Sequence, residues 1–353
     1  MQLQTWKIQG RGAFHFGEHG IEQEESRLTW PSDSLFAAII ARLASLHGDT
    51  AVQAWLGTPQ QPRTPPFLLT STFPFAGDVR FFPVPKAALR PTTSLPPSLR
   101  VKDLKKVRFV SEGIYRRLLD GASLAEIQPV RSLHDKTVWM LKNETLALPK
   151  SGGVPLENRH FWQFHKRPRV AVGRTDNISN LFHVGEVRFA PGCGLWFGVQ
   201  WLTDDAQARA LLADLLTDLG DAGLGAERAS GYGQAAIQED APLTLPDPDT
   251  PYWTTLSRYL PANKEEAQAL TTKGAAYEIE RLGGWIDGSP LRRIPLHLLR
   301  EGAVLGRLAK QPPYGRIVDV RPTPRQDETF APPPHPVWRN GLAVAVGYHG
   351  GAA

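Results

Sequence analysis

Two amphipathic stretches, each bracketed by strand-like runs, constrain this chain more than any other feature. The first follows Pro31-Ser32-Asp33-Ser34, where a serine or aspartate oxygen can accept from the free N–H groups of a helix start. Phe36, Ile39, Ile40, Leu43 and Leu46 then recur at helical spacing, which predicts a helix over 33–47 with one buried stripe. The second is capped by Asp204 or Asp205, and Ala208, Leu211, Leu212, Leu215, Leu216 and Leu219 line one face. Residues 3–8, 67–75, 80–85, 169–174, 184–189, 195–202 and 232–238 read as strands. The order strand–helix–strand–strand, an interruption, then strand–helix–strand predicts an α+β fold. Its core is a ferredoxin-like (RRM-like) sheet covered by two helices on one face.

At 353 residues the chain is more than twice the common domain size, so two domains are expected. The first spans 1–240. Its pattern loosens over 86–166, which reads as a thumb-like insertion with a helical piece near 112–125. Four prolines between Pro242 and Pro251 mark a linker. Residues 241–353 then form a smaller, strand-rich second domain, with strands expected at 277–286, 291–305, 316–321 and 341–348.

The glycine pattern of 218–234 carries more chemistry. Gly223-Leu224-Gly225 is followed by five residues including Arg228, then Gly231-Tyr232-Gly233. Glycines at this spacing allow positive φ and close backbone approach, exposing N–H groups to an anion. Arg228 and Ser230 can add phosphate or base contacts. A dinucleotide fingerprint or Walker loop runs from strand into helix. This loop runs from helix into strand and has no Gly-Lys-Ser/Thr, so both readings fail.

This loop resembles the glycine-rich signature of the RAMP superfamily, the RNA-binding proteins of CRISPR systems. Trp30-Pro-Ser-Asp-Ser-Leu-Phe-Ala-Ala-Ile39, Ser71-Thr-Phe-Pro-Phe75 with Phe81-Phe-Pro-Val-Pro-Lys86, and Arg174-Thr-Asp-Asn177 with Gly185-Glu-Val-Arg-Phe189 are similar to the Csm-type subunit of type III-A complexes. The equivalent type III-B subunit is the neighbouring alternative. The resemblance covers about 1–240. It implies two ferredoxin-like domains that hold the repeat-derived crRNA 5′ handle, contact the large polymerase-like subunit and meet the backbone RAMP subunit. By motif it carries RNA contact onto Gly223 to Gly233, and also onto Ser32, Asp33 and Ser34.

Charge points the same way. The net charge is +5 with pI near 9.3, which favours a polyanion without specifying one. Between Lys86 and Arg108 seven basic residues face one acid, Asp103. Arg159, Lys166, Arg167, Arg169 and Arg174 form a second basic stretch without an acid, interleaved with His160, Phe161, Trp162, Phe164 and His165. Cations neutralise phosphates while aromatics stack on unpaired bases, the combination that single-stranded RNA sites use. A solvated surface is the alternative for the first stretch. Gly231-Tyr-Gly-Gln-Ala-Ala236 has alanines where an RRM carries stacking aromatics, so grip by loops is expected over grip by the sheet face.

Candidate chemistry is thin. His15-Phe-Gly-Glu-His19 spells H-x-x-E-H, but the surrounding glycines oppose the helix a zinc site needs. No metal or cofactor is expected. Cys193 lies in a Pro-Gly-x-Gly turn and, standing alone, excludes disulfides. A metal-independent RNA-processing nuclease of the same superfamily, with His15, His19 or His47 as general base, is the enzymatic alternative. Such nucleases carry the glycine loop near the C-terminus, whereas a long segment follows Gly233 here, so a non-catalytic protein is expected. Met1-Gln-Leu-Gln-Thr-Trp-Lys7 has no signal core and no apolar run reads as a membrane span, which predicts a cytoplasmic protein without a membrane partner. The segments around Trp139 and Trp162 are expected to leave apolar surface for other subunits.

Overall fold

The computed structural model describes residues 1–17, 25–90, 100–127, 130–150, 152–172, 179–286, 289–323 and 331–350. In chain order the elements are β1 (Gln2–Gly10), α1 (Ser32–Leu56), β2 (Phe67–Leu69), β3 (Phe73–Ala76), β4 (Val79–Pro83), β5 (Phe109–Ser111), α2 (Glu112–Leu119), β6 (Val130–Leu133) and β7 (Val138–Leu141). There follow β8 (Trp162–Val172), β9 (Ser179–Phe189), β10 (Cys193–Trp201), α3 (Ala206–Ala222) and β11 (Ala235–Thr244). The C-terminal part holds β12 (Tyr252–Thr255), α4 (Lys264–Gln268), β13 (Ile279–Leu282), β14 (Leu296–Leu299), β15 (Val304–Gly306), β16 (Ile317–Asp319), β17 (Trp338–Asn340) and β18 (Ala345–Tyr348).

One nine-stranded sheet, in the order β11-β1-β10-β3-β4-β5-β7-β6 with β2 also pairing β10, organises the molecule. β1 pairs antiparallel with both β10 and β11, and β10 pairs antiparallel with β3. The α1 stripe of Leu35, Phe36, Ile39 and Leu43 is fully buried. Each such side chain contributes about 1.5–3 kcal/mol by leaving water. By length and composition alone α1 is sufficient for a membrane span, a test that the core helix of a soluble protein also passes. Asp205 caps α3 as expected, accepting from the N–H groups of Gln207 and Ala208 at 2.9 and 3.0 Å. At α1 the N-cap is Pro31, with no side-chain cap. The Ser32 hydroxyl instead accepts from the Arg258 N–H at 2.8 Å, a partner 226 residues away that no local pattern announces.

The stretch 86–166 differs most from its sequence reading. It does not stand apart as a thumb: β5, β7 and β6 extend the central sheet, β5 running parallel to β7. Val110, Ile114, Tyr115, Leu118, Trp139 and Met140 join the main core, and Tyr115 stacks on Phe82 with ring centroids 4.5 Å apart. Apart from the helical piece seen as α2, the apolar residues come in runs of two to four between polar loops, too short to show a period. The projecting element is the ribbon β8–β9, eleven residues per strand, paired from Trp162↔Phe189 to Val172↔Ser179. Phe14 and Val187 exchange backbone hydrogen bonds of 2.9 Å at its base.

The prolines after Pro242 do not free a linker. β11 continues to Thr244, and the backbones of Met1 and Leu245 bond to each other at 2.7 and 3.0 Å. Beyond it, β15-β12-β18 form a three-stranded sheet. Leu256, Val304, Trp338 and Val346 join the main core, while Trp253, Tyr259 and Tyr314 belong to a smaller one. Among the described residues of this part there is one α-helix, the five-residue α4, so a second two-helix sheet is not seen. Prolines such as Pro290, Pro295, Pro312 and Pro313 lack the N–H that longer elements require. Cys193 opens β10 and is buried rather than standing in the turn, and burial pushes its thiol up to about 12.

Candidate nucleic-acid interface

α3 ends at Ala222 and the chain returns through 223–234 to β11. Gly223, Gly225, Gly231 and Gly233 all adopt positive φ, as their spacing predicts. Close approach decides the identity at Gly225, where an added Cβ would lie 2.5 Å from the His15 carbonyl oxygen. The expected row of exposed N–H groups is largely absent. Leu224 N–H donates to Gly233 O at 2.9 Å, Gly233 N–H to Ala13 O at 2.9 Å and Ala226 N–H to His15 O at 3.0 Å. The loop is stitched to the turn after β1. What it presents to solvent is the crest with Arg228, Ser230 and Gly231, around which no atom lies within 4 Å of an added Cβ.

The ribbon docks on this loop. Arg169 Nη1 lies 2.9 Å from Glu227 Oε2 and donates to Ser230 Oγ at 2.8 Å, with its guanidinium 5.1 Å from the Tyr232 ring centroid. Tyr232, itself buried, donates through its hydroxyl to Glu186 Oε2 at 2.7 Å, and Arg188 Nε donates to Glu186 Oε1 at 2.7 Å. Burial raises the Glu186 pKa, but the bonds from Arg188 and Tyr232 outweigh it and hold the carboxyl below its ordinary range. His15 is buried, its Nδ1 2.6 Å from the Gly185 carbonyl oxygen. Arg169 thus positions the loop. Arg167 is exposed on the ribbon, while Arg174 and His19 lie outside the described residues.

Two of the motifs quoted above meet each other. The Ser32 N–H donates to Ser71 Oγ at 2.8 Å, and Trp30 and Thr72 bond through Trp30 N–H to Thr72 Oγ1 at 2.6 Å and Thr72 N–H to Trp30 O at 2.9 Å. Ser71 Oγ also bonds to Glu301. Ser32 and Asp33 are buried in this seam, so in the isolated chain they face the C-terminal part rather than solvent; Ser34 is half-buried beside Asp33. Burial pushes the Asp33 carboxyl up against the opposing pull of Arg258 and Arg293. Arg258, 1% exposed, lies 2.6 Å from Glu280 and 3.1 Å from Glu301, and Arg27 also grips Glu280. Nothing local in the sequence reveals this cluster, because its members come from four distant segments.

Beside the seam opens a cleft of about 1050 Å³. The first basic stretch supplies Lys86, Arg90, Lys105 and Arg108 to its wall, and the ribbon supplies Phe164, His165 and Lys166. Both basic stretches therefore converge on one space, which neither shows alone. Arg27, Arg258 and Arg300 add positive charge, against Glu25, Glu186, Glu278 and Glu301. Lys86 is engaged by Glu278 at 2.8 Å; burial raises the Glu278 pKa, but this bond holds it below its ordinary value. Arg90, Lys105 and Arg108 are exposed. Of the interleaved aromatics, Phe161 and Trp162 are core residues, and Trp162 stacks on His134 at 3.9 Å. Phe164, 54% exposed, is offered to solvent. Trp139 and Trp162 are themselves buried, and the apolar surface their segments expose comes from neighbours such as Leu146 and Phe164. Glu186 lines the cleft and accepts from the Tyr232 hydroxyl, which ties the loop to one lining residue of the cleft. Among the described residues no cluster of three or more His, Cys, Asp or Glu is placed to hold a metal. His47 is exposed on α1.

Comparison with known proteins places this geometry. Residues 248–348 match the CRISPR Csm4 C-terminal domain family. The chain is 26% identical over 283 residues to the CRISPR system Cms protein Csm4 of Thermococcus onnurineus (strain NA1), covering 78% of this chain and 81% of that protein. It is 21% identical over 250 residues to the protein of the same name from Methanocaldococcus jannaschii, covering 66% and 64%. Its fold is similar to a chain in the crystal structure of a Csm3–Csm4 subcomplex of the type III-A interference complex, with TM-score 0.65 at 17% identity, over 99% of this chain and 100% of that one. A chain of a Csm1–Csm4 cassette in complex with cA4 matches with TM-score 0.58 at 15% identity, over all of both chains. Over most of its length the chain is thus similar to CRISPR Csm4 proteins, and residues 248–348 match the C-terminal domain of that family.

Proposed function

We propose that this protein is the non-catalytic subunit that holds the repeat-derived 5′ handle of crRNA in its type III-A effector complex. It works in the cytoplasm, anchoring the large polymerase-like subunit and meeting the backbone RAMP subunit. The convergence of two separate basic stretches on one cleft, lined by exposed Phe164 and by Glu186, which also holds Tyr232 of the glycine loop, carries this reading. Cations spaced along a groove with an accessible aromatic suit an unpaired strand. The strand order β11-β1-β10-β3, with α1 after β1 and α3 after β10, supports a ferredoxin-like frame in the first part. The match over 248–348 supports a division near residue 240. Solved relatives crystallised with Csm1 or Csm3 support the two protein contacts.

Lys105 and Arg108 give the direct test. In Lys105→Ala/Arg108→Ala, affinity for a repeat-derived single-stranded RNA should fall, and the dependence of log K on log salt should flatten by about 0.7 per lost phosphate contact. Fluorescence anisotropy across a salt series reads both, and the RNA should be recovered intact with or without divalent metal. Unchanged affinity and slope refute the cleft as the RNA surface. Cleavage that disappears in His47→Ala or His15→Ala moves the protein to the nuclease reading.

A further inference from the structure

β6 is the last strand of the nine-stranded sheet, so only one of its edges is paired, to β7. Among the described residues, no backbone hydrogen bond from 130–133 runs anywhere else. An open edge of this kind is a template for another extended chain unless something covers it. Along it lies a groove of about 1120 Å³ that shares no lining residue with the basic cleft.

The groove has a definite chemistry. Leu141, Leu146 and Leu156 give it an apolar side, and Leu146 is 92% exposed. A lone exposed leucine is ordinary, but this one lies beside an open strand edge. Arg117, Arg131 and Lys142 line the same space, none paired with a carboxylate among the described residues, against one acid, Glu157. Among the described residues that line it, no aromatic side chain is present to stack on a base. Strand-edge amides, one apolar wall and three unneutralised cations complement an extended peptide bearing carboxylates better than they complement RNA. We infer that this groove receives an extended, acidic segment of a protein partner, which adds to β6 as a further strand and places its carboxylates against Arg117, Arg131 and Lys142.

The inference rests on the chain being one subunit of a protein–RNA complex, and the experiment separates the two. The purified chain and its Arg117→Glu/Arg131→Glu/Lys142→Glu variant are titrated separately with the purified large subunit, the purified backbone subunit and a repeat-derived RNA. Expected is at least a tenfold loss of affinity for one of the two proteins with RNA binding unchanged. The wild-type amides of 130–133 should also exchange hydrogen more slowly once that protein is added. Unchanged binding of both proteins overturns the inference alone, as does a loss confined to RNA. A wild-type chain that binds neither protein overturns the assembly reading and this inference with it. The exchange measurement uses no substitution, so amides that stay unprotected in a bound complex overturn the inference even where the variant does not fold.

Discussion

Arg258→Met is the perturbation that probes the seam most directly. Arg258 is 1% exposed, 2.6 Å from Glu280 and 3.1 Å from Glu301, with Asp33 close by. Methionine fills much of the same volume but leaves three carboxylates facing each other. Removing one partner of a buried pair costs about 3–5 kcal/mol. Glu280 gives an independent figure. Burial raises its pKa, yet the bond from Arg27 and the charge of Arg258 hold it down to about 2 from 4.5. Because the folded value is depressed, the contribution is present above 4.5 and lost as pH falls toward 2. The difference amounts to about 3 kcal/mol at pH 7 and only about 1 at pH 3. Urea unfolding of wild type and variant at both pH values measures the loss. We expect about 3–5 kcal/mol at neutral pH, shrinking by more than half at pH 3 as the orphaned carboxylates protonate. A loss below 1 kcal/mol at pH 7, or one independent of pH, would refute the buried-pair argument.

Two further outcomes follow from local geometry. Gly225→Ala should destabilise the protein by more than Gly231→Ala, by about 2 kcal/mol or more in urea unfolding. Both carry the positive-φ strain of about 1–2 kcal/mol, but only Gly225 would drive its Cβ into the His15 carbonyl; equal effects would show that the loop is not stitched to 13–15. Burial, with a smaller push from His160, lowers the His134 pKa to about 4. The unfolded chain therefore takes up this proton first, and stability should decline as pH drops from 6.5 toward 4. His134→Phe should flatten that decline, and an unchanged pH profile would remove His134 as its source.

What the sequence alone determined was whatever is written in neighbouring residues. The stripe of α1, the Asp205 cap, the leucine face of α3 and the positive φ of the glycine loop follow from spacing and side-chain type within a few residues. The order of those elements around β1 was legible for the same reason. Tertiary structure decided the rest. Outside α2, the short apolar runs in 86–166 carry no period, so their place in the sheet depended on Phe82, Tyr115 and Trp196 meeting in space. The roles of Ser32 and Asp33 were set by Arg258, and that of Arg169 by Glu227. A buried charge must find its counter-charge wherever the fold brings one, and that distance along the chain leaves no local mark.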